Sequence, residues 1–219
     1  MATTCSGILS GFGRHGDERK VLALNVLLLG ERQSGRSSVG NALIGGEEFQ
    51  TGVCISGSST TPEFQLRSRN FQNFFRRQGA ESDLLLRVLD TPPMMAHPQN
   101  VHQFFPEGVH VLVLVVRANL TNEKTHLEER AEALLGPEWR RHTVLVLTFA
   151  DQLKKAGLRT EHFLTQCSDW LRALAEKVEG GAFFLDNISD WPSIRGQPLR
   201  EQLLRLSARN RHGALEVSP

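Results

Sequence analysis

The sequence predicts a three-layer α/β domain built on a mostly parallel sheet. Short segments rich in leucine and valine recur along the chain, and they are nearly continuous rather than alternating, as in parallel strands covered on both faces. Amphipathic helical patterns separate these segments, and strands that alternate with helices are typical of this architecture. The 219 residues give the chain the length of one sizeable domain.

Six strands are expected, and five of them are expected to be buried. In chain order the buried strands are Leu22–Leu29, Leu84–Leu89, Val109–Val116, Thr143–Leu147 and Ala182–Leu185. In Glu63–Arg69, by contrast, apolar and polar residues alternate, which predicts a half-exposed strand. We place this segment as one antiparallel strand at the edge of a six-stranded, mostly parallel sheet.

Three long helical patterns complete the expected fold. The first, Glu123–Leu135, has its apolar residues on one face and ends at Gly136-Pro137, a strong C-terminal signal. A second pattern, Glu161–Val178, has its apolar residues at helical spacing, and a last helix is expected at Gln197–Arg209.

One domain with short flanking segments is the expected organisation. Residues 1–20 are interpreted as a flexible arm, residues 21–210 as the domain and residues 211–219 as a polar tail. The longest clean apolar run, Val111–Val116, is far shorter than the roughly 18 residues of a membrane-spanning helix. The N-terminal residues have no long apolar segment typical of a signal peptide. We therefore expect a cytoplasmic protein without a transmembrane anchor.

Composition and charge exclude several classes of protein. Hydrophobic residues make up 40% of the chain, which excludes a disordered protein. The 25 basic and 24 acidic residues nearly cancel, so a nucleic-acid-binding protein is not expected. The three cysteines, Cys5, Cys54 and Cys167, are far apart and fit reduced cytosolic thiols better than disulfides or a zinc site.

A phosphate-loop pattern follows the first strand directly. The segment GERQSGRSS at residues 30–38 matches G-x-x-x-x-G-[K/R]-S between a strand and a helix. Glycines let backbone amides surround a phosphate, and the helix N-terminus adds partial positive charge. The hydroxyl of Ser37 is expected to bind Mg²⁺. The alternative interpretation is an ordinary strand–helix turn.

Arg36 stands where this pattern normally has lysine. A planar guanidinium and a compact ammonium are not interchangeable at a phosphate. The chain has 20 arginines and 5 lysines, so a general drift toward arginine is one explanation, with phosphate binding preserved. Relaxed constraint on hydrolysis is the other explanation, and both stay open.

Further residues of a nucleotide site follow the third, fifth and last strands. Asp90 ends the third strand, where a carboxylate can hold Mg²⁺ through water. Pro93 takes the place of a glycine whose amide usually binds the γ-phosphate, because proline has no N–H. Met94 follows where a glutamine would orient water. Asp151 can accept hydrogen bonds from guanine or can cap a helix, and Asn187 can close over the base or cap a turn.

Together these segments resemble the GIMAP family of immunity-associated, septin-related guanine-nucleotide-binding proteins. The resemblance covers about residues 22–187 and is closest to the short, tail-less branch. It rests on LNVLLLGERQSGRSSVGNALIG, VLDTP, GVHVLVLVVRANLTNEK, LLGPEWRRHTVLVLTFADQL and FFLDN. The stretch between the third and fifth strands is more specific to this family than the phosphate loop.

The resemblance implies a P-loop NTPase fold of the G-domain type that binds GTP or GDP with Mg²⁺. The implied phosphate contacts are Gly30, Ser34, Gly35, Arg36 and Ser38. The implied metal ligands are Ser37, the switch residue Thr60 and Asp90. Asp151 is implied to recognise guanine, with Asn187 nearby. Family members often pair through their nucleotide faces, so a homodimer or heterodimer through this face is also implied.

Three residues depart from the family pattern: Arg36, Pro93 and Phe149, the last standing where a basic residue or histidine is common. The leading hypothesis is therefore a guanine-nucleotide-binding domain with slow or absent hydrolysis. The alternative is a pseudo-GTPase that serves as an interaction scaffold and binds nucleotide weakly or not at all. A P-loop kinase or ATPase is disfavoured by Asp151 after the fifth strand.

Overall fold

The computed structural model describes residues 20–51, 63–77, 80–92, 98–119, 124–187 and 191–217. Within these residues the strands are β1 (Lys20–Gly30), β2 (Gln65–Arg77), β3 (Ala80–Asp90), β4 (Val111–Arg117), β5 (Thr143–Thr148) and β6 (Ala182–Phe184). The helices are α1 (Arg36–Ile44), α2 (Pro98–Phe104), α3 (Leu127–Leu135), α4 (Ala150–Lys155), α5 (Thr160–Gln166), α6 (Asp169–Lys177), α7 (Pro192–Arg195) and α8 (Gln197–Arg209). A 3₁₀ helix, Pro137–His142, precedes β5.

The strands form one sheet in the order β2-β3-β1-β4-β5-β6. Only the β2–β3 pair is antiparallel among the strands that the structure describes, and the other four pairs are parallel. The predicted α/β fold with six strands and one antiparallel edge strand is therefore confirmed. The carboxyl ends of the parallel strands lie at one edge of the sheet. The strand order reverses at β1, which lies between β3 and β4, and sheets of this kind bind ligands at that edge beside the reversal.

Helices cover both faces of the sheet, which explains the continuous apolar runs. On β1, Leu24, Val26 and Leu28 belong to the core beneath α1 and α8, whereas Leu27 and Leu29 belong to the core beneath α2, α3, α5 and α6. All five side chains are fully buried. A strand that buries both faces needs apolar residues at every position, so it does not alternate.

The single helix predicted over Glu161–Val178 is wrong, because the structure has two helices there. Cys167 and Ser168 adopt extended backbone angles between α5 and α6. The guanidinium of Arg172 donates to the carbonyls of Leu164, Thr165 and Cys167 at 3.1, 3.2 and 3.3 Å, which satisfies groups that a helix end leaves without partners. Both helices bury their apolar residues in the same core, so the helical spacing of apolar residues in the sequence continues across the break.

The edge strand β2 is longer than predicted and contains an irregularity. Its pairing with β3 shifts register between Phe71 and Phe75. Asn73 lies in this bulge with a left-handed φ of 53°, and its amide donates to Oδ1 of Asp83 at 2.9 Å. An asparagine tolerates this backbone region better than most residues, which fits its place in the bulge.

Arg200 joins the C-terminal helix to α1 and α7. It is only 6% exposed, and its guanidinium donates to the carbonyls of Ala42 and Ser193, both at 2.7 Å. At the start of α8, a Cβ on Gly196 would lie 1.6 Å from the carbonyl oxygen of Ala42. These contacts hold α1 and α7 together on one face of the sheet.

The segment after α8 returns to the sheet. Leu215 and Val109 exchange two backbone hydrogen bonds of 2.8 and 2.9 Å, and Val217 is buried. In the part of the chain that the structure describes, no helix combines the length and apolar character needed to cross a membrane.

Candidate functional site

The loop between β1 and α1 has the strand–loop–helix context that the sequence predicts. A Cβ on Gly30 would lie 2.5 Å from the hydroxyl of Ser34 and 2.7 Å from the carbonyl oxygen of Val115, so only glycine fits. Gly35 has a φ of 88°, in the left-handed region that favours glycine. A Cβ there would also lie 3.1 Å from the side chain of Thr148. Both glycines of the pattern are thus required by the backbone.

Ser34 places a hydroxyl without a hydrogen-bond partner inside this loop. The residue is 6% exposed, and its Oγ is buried with no hydrogen-bond partner among the residues described. Its backbone carbonyl accepts a hydrogen bond from the hydroxyl of Thr148, which fixes the loop against β5. A buried polar atom without a partner costs free energy unless a ligand or water satisfies it.

The N-terminus of α1 follows directly and has no side-chain cap. Gly35 occupies the cap position, and no acidic residue lies in the first turn. The first backbone amides of a helix have no partner within the helix, and they carry the positive end of its dipole. Ser37 and Ser38 lie in this first turn. The loop and the helix end can therefore donate several hydrogen bonds to an anion such as a phosphate.

Arg36 turns toward the end of β3. Its side chain is 5% exposed, and its Nε lies 3.5 Å from Oδ1 of Asp90, which is fully buried. Its Nη1 donates to the carbonyl of Thr91. Ser37 donates from its hydroxyl to Oδ2 of the same aspartate at 3.0 Å. The two residues that begin α1 thus both contact the carboxylate that ends β3.

Burial lowers the pKa of Arg36 from its ordinary value, and the neighbouring carboxylate of Asp90 acts in the opposite direction. Desolvation is the larger of the two effects. Arginine nevertheless keeps its charge in proteins. The bottom of the loop therefore contains a fixed, buried positive charge beside a buried carboxylate.

These residues fit a magnesium ion in their oxygen donors but not in their charge. The hydroxyl of Ser37 and the carboxylate of Asp90 are ligand types that Mg²⁺ accepts. The guanidinium of Arg36 is paired with the same carboxylate and would lie next to a divalent cation. The arrangement around Asp90 therefore does not fit Mg²⁺ as it stands. Thr60, the third expected ligand, lies outside the described residues.

Asp151 and Asn187 are close together beyond β5 and β6. The amide of Asn187 donates to Oδ1 of Asp151 at 3.4 Å, and Lys155 lies 3.6 Å from Oδ2. Asp151 is 7% exposed and lies in the first turn of α4, while Phe149 occupies the N-cap position without a side-chain cap. The alternative role of Asp151 as the cap of this helix is therefore not seen.

Phe149 has a strained backbone at this point. Its φ is 58°, and its amide donates to the side-chain oxygen of Asn187 at 2.8 Å. The guanidinium of Arg117 lies 4.6 Å from the centre of its ring. Left-handed backbone at a bulky residue is uncommon and is often found at functional sites.

A cavity of about 480 Å³ opens beside α1 and the loop that contains Asn187. Its lining includes Ser38, Asn187, Trp191 and Arg195. Trp191 is 77% exposed. No motif in the sequence marks this tryptophan as part of a site, although an isolated aromatic residue four positions after Asn187 is a usable signal. The cavity has the size of a small-ligand site.

The ends of β1 and β3 bring together five of the predicted site residues: Gly30, Gly35, Arg36, Ser37 and Asp90. Ser34 and Ser38 complete this group, while Asp151 and Asn187 form a second group beyond β5 and β6. The predictions that concern Thr60, Pro93 and Met94 lie outside the described residues.

Comparisons with solved structures agree on the fold. Toc33 from Arabidopsis thaliana, in a dimerization-deficient mutant, is 17% identical with a TM-score of 0.57, and the match covers 90% of this chain and 88% of that one. Toc33 in complex with GDP and Mg²⁺ is 18% identical with a TM-score of 0.54 and covers the same shares. At such identities the likeness shows the fold alone.

Curated relatives are similarly distant. Immune-associated nucleotide-binding protein 1 of Arabidopsis thaliana is 22% identical over 205 residues, which cover 87% of this chain and 85% of the relative. Immune-associated nucleotide-binding protein 10 is 20% identical over 195 residues, which cover 83% of this chain. The matches cover only 40% and 57% of the lengths of proteins 10 and 4 of this group. The model of the AIG1 family matches residues 24–208. With most of its residues inside this match, the chain belongs to the AIG1 family.

Proposed function

We propose that this protein binds GTP and GDP as a GIMAP-type G domain of the short branch, with slow or absent hydrolysis. The observation that carries the proposal is the buried hydroxyl of Ser34, which has no partner among the described residues and lies beside the uncapped N-terminus of α1. A phosphate at this place would accept hydrogen bonds from the hydroxyl and the helix amides. The match to the AIG1 family and the names of its nucleotide-binding relatives support the same reading.

Asp151 supports guanine as the base. A carboxylate can accept two hydrogen bonds from N1 and N2 of guanine, which adenine does not offer in that arrangement. Each oxygen of Asp151 already has one neighbour in the protein, at 3.4 Å from Asn187 and 3.6 Å from Lys155. A carboxylate oxygen has two acceptor positions, so each retains capacity for a base.

Two residues of the chain support slow or absent hydrolysis as part of the proposal. Pro93 has no amide to donate to a γ-phosphate, and Met94 cannot orient an attacking water. The phosphate loop, Ser34 and Ser38 would bind and position the phosphates, while Asn187 and Asp151 would orient the base. This division of roles favours binding over turnover.

A pseudo-GTPase scaffold is the second candidate, and the pairing of Arg36 with Asp90 favours it. In this reading the guanidinium stabilises the fold rather than a ligand. We further propose a cytoplasmic protein that forms dimers through its nucleotide face. A solved structure with this fold, at a TM-score of 0.53, supports the dimer, because its description states that dimerization is important for the GTPase activity of the chloroplast translocon components atToc33 and psToc159.

Calorimetric titration of the purified chain with GDP, GTP and ADP tests the proposal. We expect guanine nucleotides to bind and ADP to bind much more weakly. Ser34→Ala should weaken GDP binding without lowering stability, because it removes a hydroxyl that has no partner among the described residues. Ser207→Ala is the matched control, since that buried hydroxyl contacts His212 at 3.0 Å and should affect stability alone. Absence of guanine-nucleotide binding would leave the scaffold as the function.

A further inference from the structure

The contact between Arg36 and Asp90 is the starting point. Arg36 and Asp90 are 6% and 0% exposed, and the guanidinium reaches the carboxylate and the carbonyl of Thr91 together. The side chain passes close to the start of the phosphate loop, since a Cβ on Gly30 would lie 3.0 Å from its Cγ. The positive charge is therefore held beneath the loop at a fixed place.

The shape of arginine suits this place better than that of lysine. The planar fork presents several N–H donors, so it can bind a carboxylate and a carbonyl at once, whereas an ammonium is a single point of charge. A buried carboxylate needs a charged partner, and Arg36 supplies it from the protein. The hydroxyl of Ser37 donates to Oδ2 of Asp90 at 3.0 Å, and Oδ1 lies 3.5 Å from Nε of Arg36 in the ion pair.

A divalent cation at Asp90 would have to displace this pair. It would compete for the carboxylate and would leave a buried guanidinium beside a double positive charge, which is unfavourable in a medium of low polarity. The positive charge that offsets the phosphates then comes from Arg36 and the α1 N-terminus rather than from an added ion.

From this geometry, and resting on the proposed function, we propose that Arg36 takes over the role of the metal ion, so that nucleoside diphosphate binds almost independently of Mg²⁺. Arg36 is in this view a positioning residue that determines ion dependence. Arg36→Lys should restore ion dependence, because a single ammonium leaves Asp90 open to Mg²⁺.

The first measurement needs no nucleotide. Urea unfolding of Arg36→Gln, Asp90→Asn and the double variant measures whether the two side chains interact. We expect the double variant to lose less stability than the sum of the two single losses. Additive losses would overturn the inference, whatever binds to the protein. Arg200→Lys is the matched control for removal of a buried guanidinium, because Arg200 is also 6% exposed and lies away from Asp90.

The second measurement is calorimetric titration of the full chain with GDP, in excess MgCl₂ and in excess EDTA. For each protein we compare the dissociation constant in MgCl₂ with that in EDTA. We expect the two constants to agree within about threefold for the native chain and for Arg200→Lys, and to differ by more than about tenfold for Arg36→Lys. If EDTA weakens GDP binding to the native chain by more than about tenfold, this inference is overturned and the proposed function stands. Absence of GDP binding in both conditions would overturn the proposed function and this inference with it.

Discussion

The side-chain oxygen of Asn187 accepts a hydrogen bond of 2.8 Å from the backbone amide of Phe149. This bond links the loop after β6 to the N-cap residue of α4. The amide of Asn187 in turn donates to Asp151, so one residue holds both the backbone and the carboxylate of the neighbouring segment. Phe149, Asp151 and Asn187 are therefore held in one defined geometry by contacts within the protein, and such preorganisation would lower the cost of ordering them on a ligand.

Asp151→Ala should remove the preference for guanine. The loss of charge-assisted hydrogen bonds to the base is worth about 1.5–3 kcal/mol, or about 10- to 150-fold in affinity for GDP. Affinity for ADP should change little, and calorimetric titration with both nucleotides measures the ratio. Asp169→Ala is the control, because the Asp169 side chain is 99% exposed in the first turn of α6. Equal affinity of the native chain for GDP and ADP would contradict the assignment.

Gly35→Ala should destabilise the fold and abolish nucleotide binding. The left-handed backbone costs an L-residue about 1–2 kcal/mol, and the new methyl group would press on Thr148. Gly157→Ala is a matched control, since Gly157 has a φ of 75° and nothing within 4 Å of an added Cβ. Urea unfolding and GDP titration of both variants separate the backbone cost from the contact. If both variants bind GDP normally, the loop does not hold phosphate.

Trp191 should report nucleotide binding through its fluorescence. Its indole is 77% exposed on the cavity that Asn187 also lines, whereas Trp139 is fully buried. A ligand in this cavity should shift its emission to shorter wavelength, because water is displaced from the ring. Trp191→Phe should lose the change and Trp170→Phe should retain it. If the fluorescence change persists in Trp191→Phe, the nucleotide base does not bind in this cavity.

GTP and GDP should bind with affinities within about tenfold of each other. A γ-phosphate normally gains a hydrogen bond from a glycine amide that Pro93 cannot supply, and such a bond is worth about 1.5–3 kcal/mol. Turnover by the purified chain should lie below about 10⁻⁴ s⁻¹, the scale of an unassisted small GTPase. Rapid hydrolysis that Ser37→Asn abolishes would show a catalytic route that does not need these groups.

Stability should fall at acidic pH because of His110. Its Nδ1 accepts a hydrogen bond from the amide of Asn25 at 3.1 Å, which requires a neutral ring at that nitrogen. Burial lowers the pKa of His110 below its ordinary 6.5, and the neighbouring His142 and His212 act in the same direction, whereas Glu107 opposes them. The unfolded chain therefore takes up the proton first as the pH falls.

The contribution of His110 is present above pH 6.5 and is lost as the pH falls below that value. Urea unfolding between about pH 7.5 and pH 5 measures this loss. His110→Gln should flatten the dependence, and His126→Gln, with its side chain 86% exposed, should not. An unchanged profile in His110→Gln would assign the acid sensitivity to other groups.

The fold could be predicted from the sequence because its signals are local. The apolar runs define the strands, and Gly136-Pro137 marks the end of α3 at Leu135 as the structure has it. The break between α5 and α6 could not be predicted, because it depends on a contact from Arg172 back to Leu164 and on no breaker residue. Periodicity reports which face is buried and not whether the helix is continuous.

The sequence predicts which residues form the candidate site, but it does not predict which of them contact one another. The loop of residues 30–38 has a recognisable pattern because its two glycines stand where the close approach of neighbouring atoms or a positive φ excludes other residues. The partner of Arg36 lies 54 residues away on β3, and only the parallel pairing of β1 with β3 brings Asp90 to it. The orientation of a long side chain is decided by such tertiary neighbours.

Arg200 sets how far along the chain the folded domain must extend. Its guanidinium contacts the carbonyl of Ala42, 158 residues earlier, near the end of the helix whose first turn faces the phosphate loop. A C-terminal truncation before Arg200 would leave that carbonyl without its donor and would uncover the apolar face of α1. A minimal folded fragment must therefore extend through α8, and because Leu215 pairs with Val109 and Val217 is buried, engineered fusions are better joined beyond Val217.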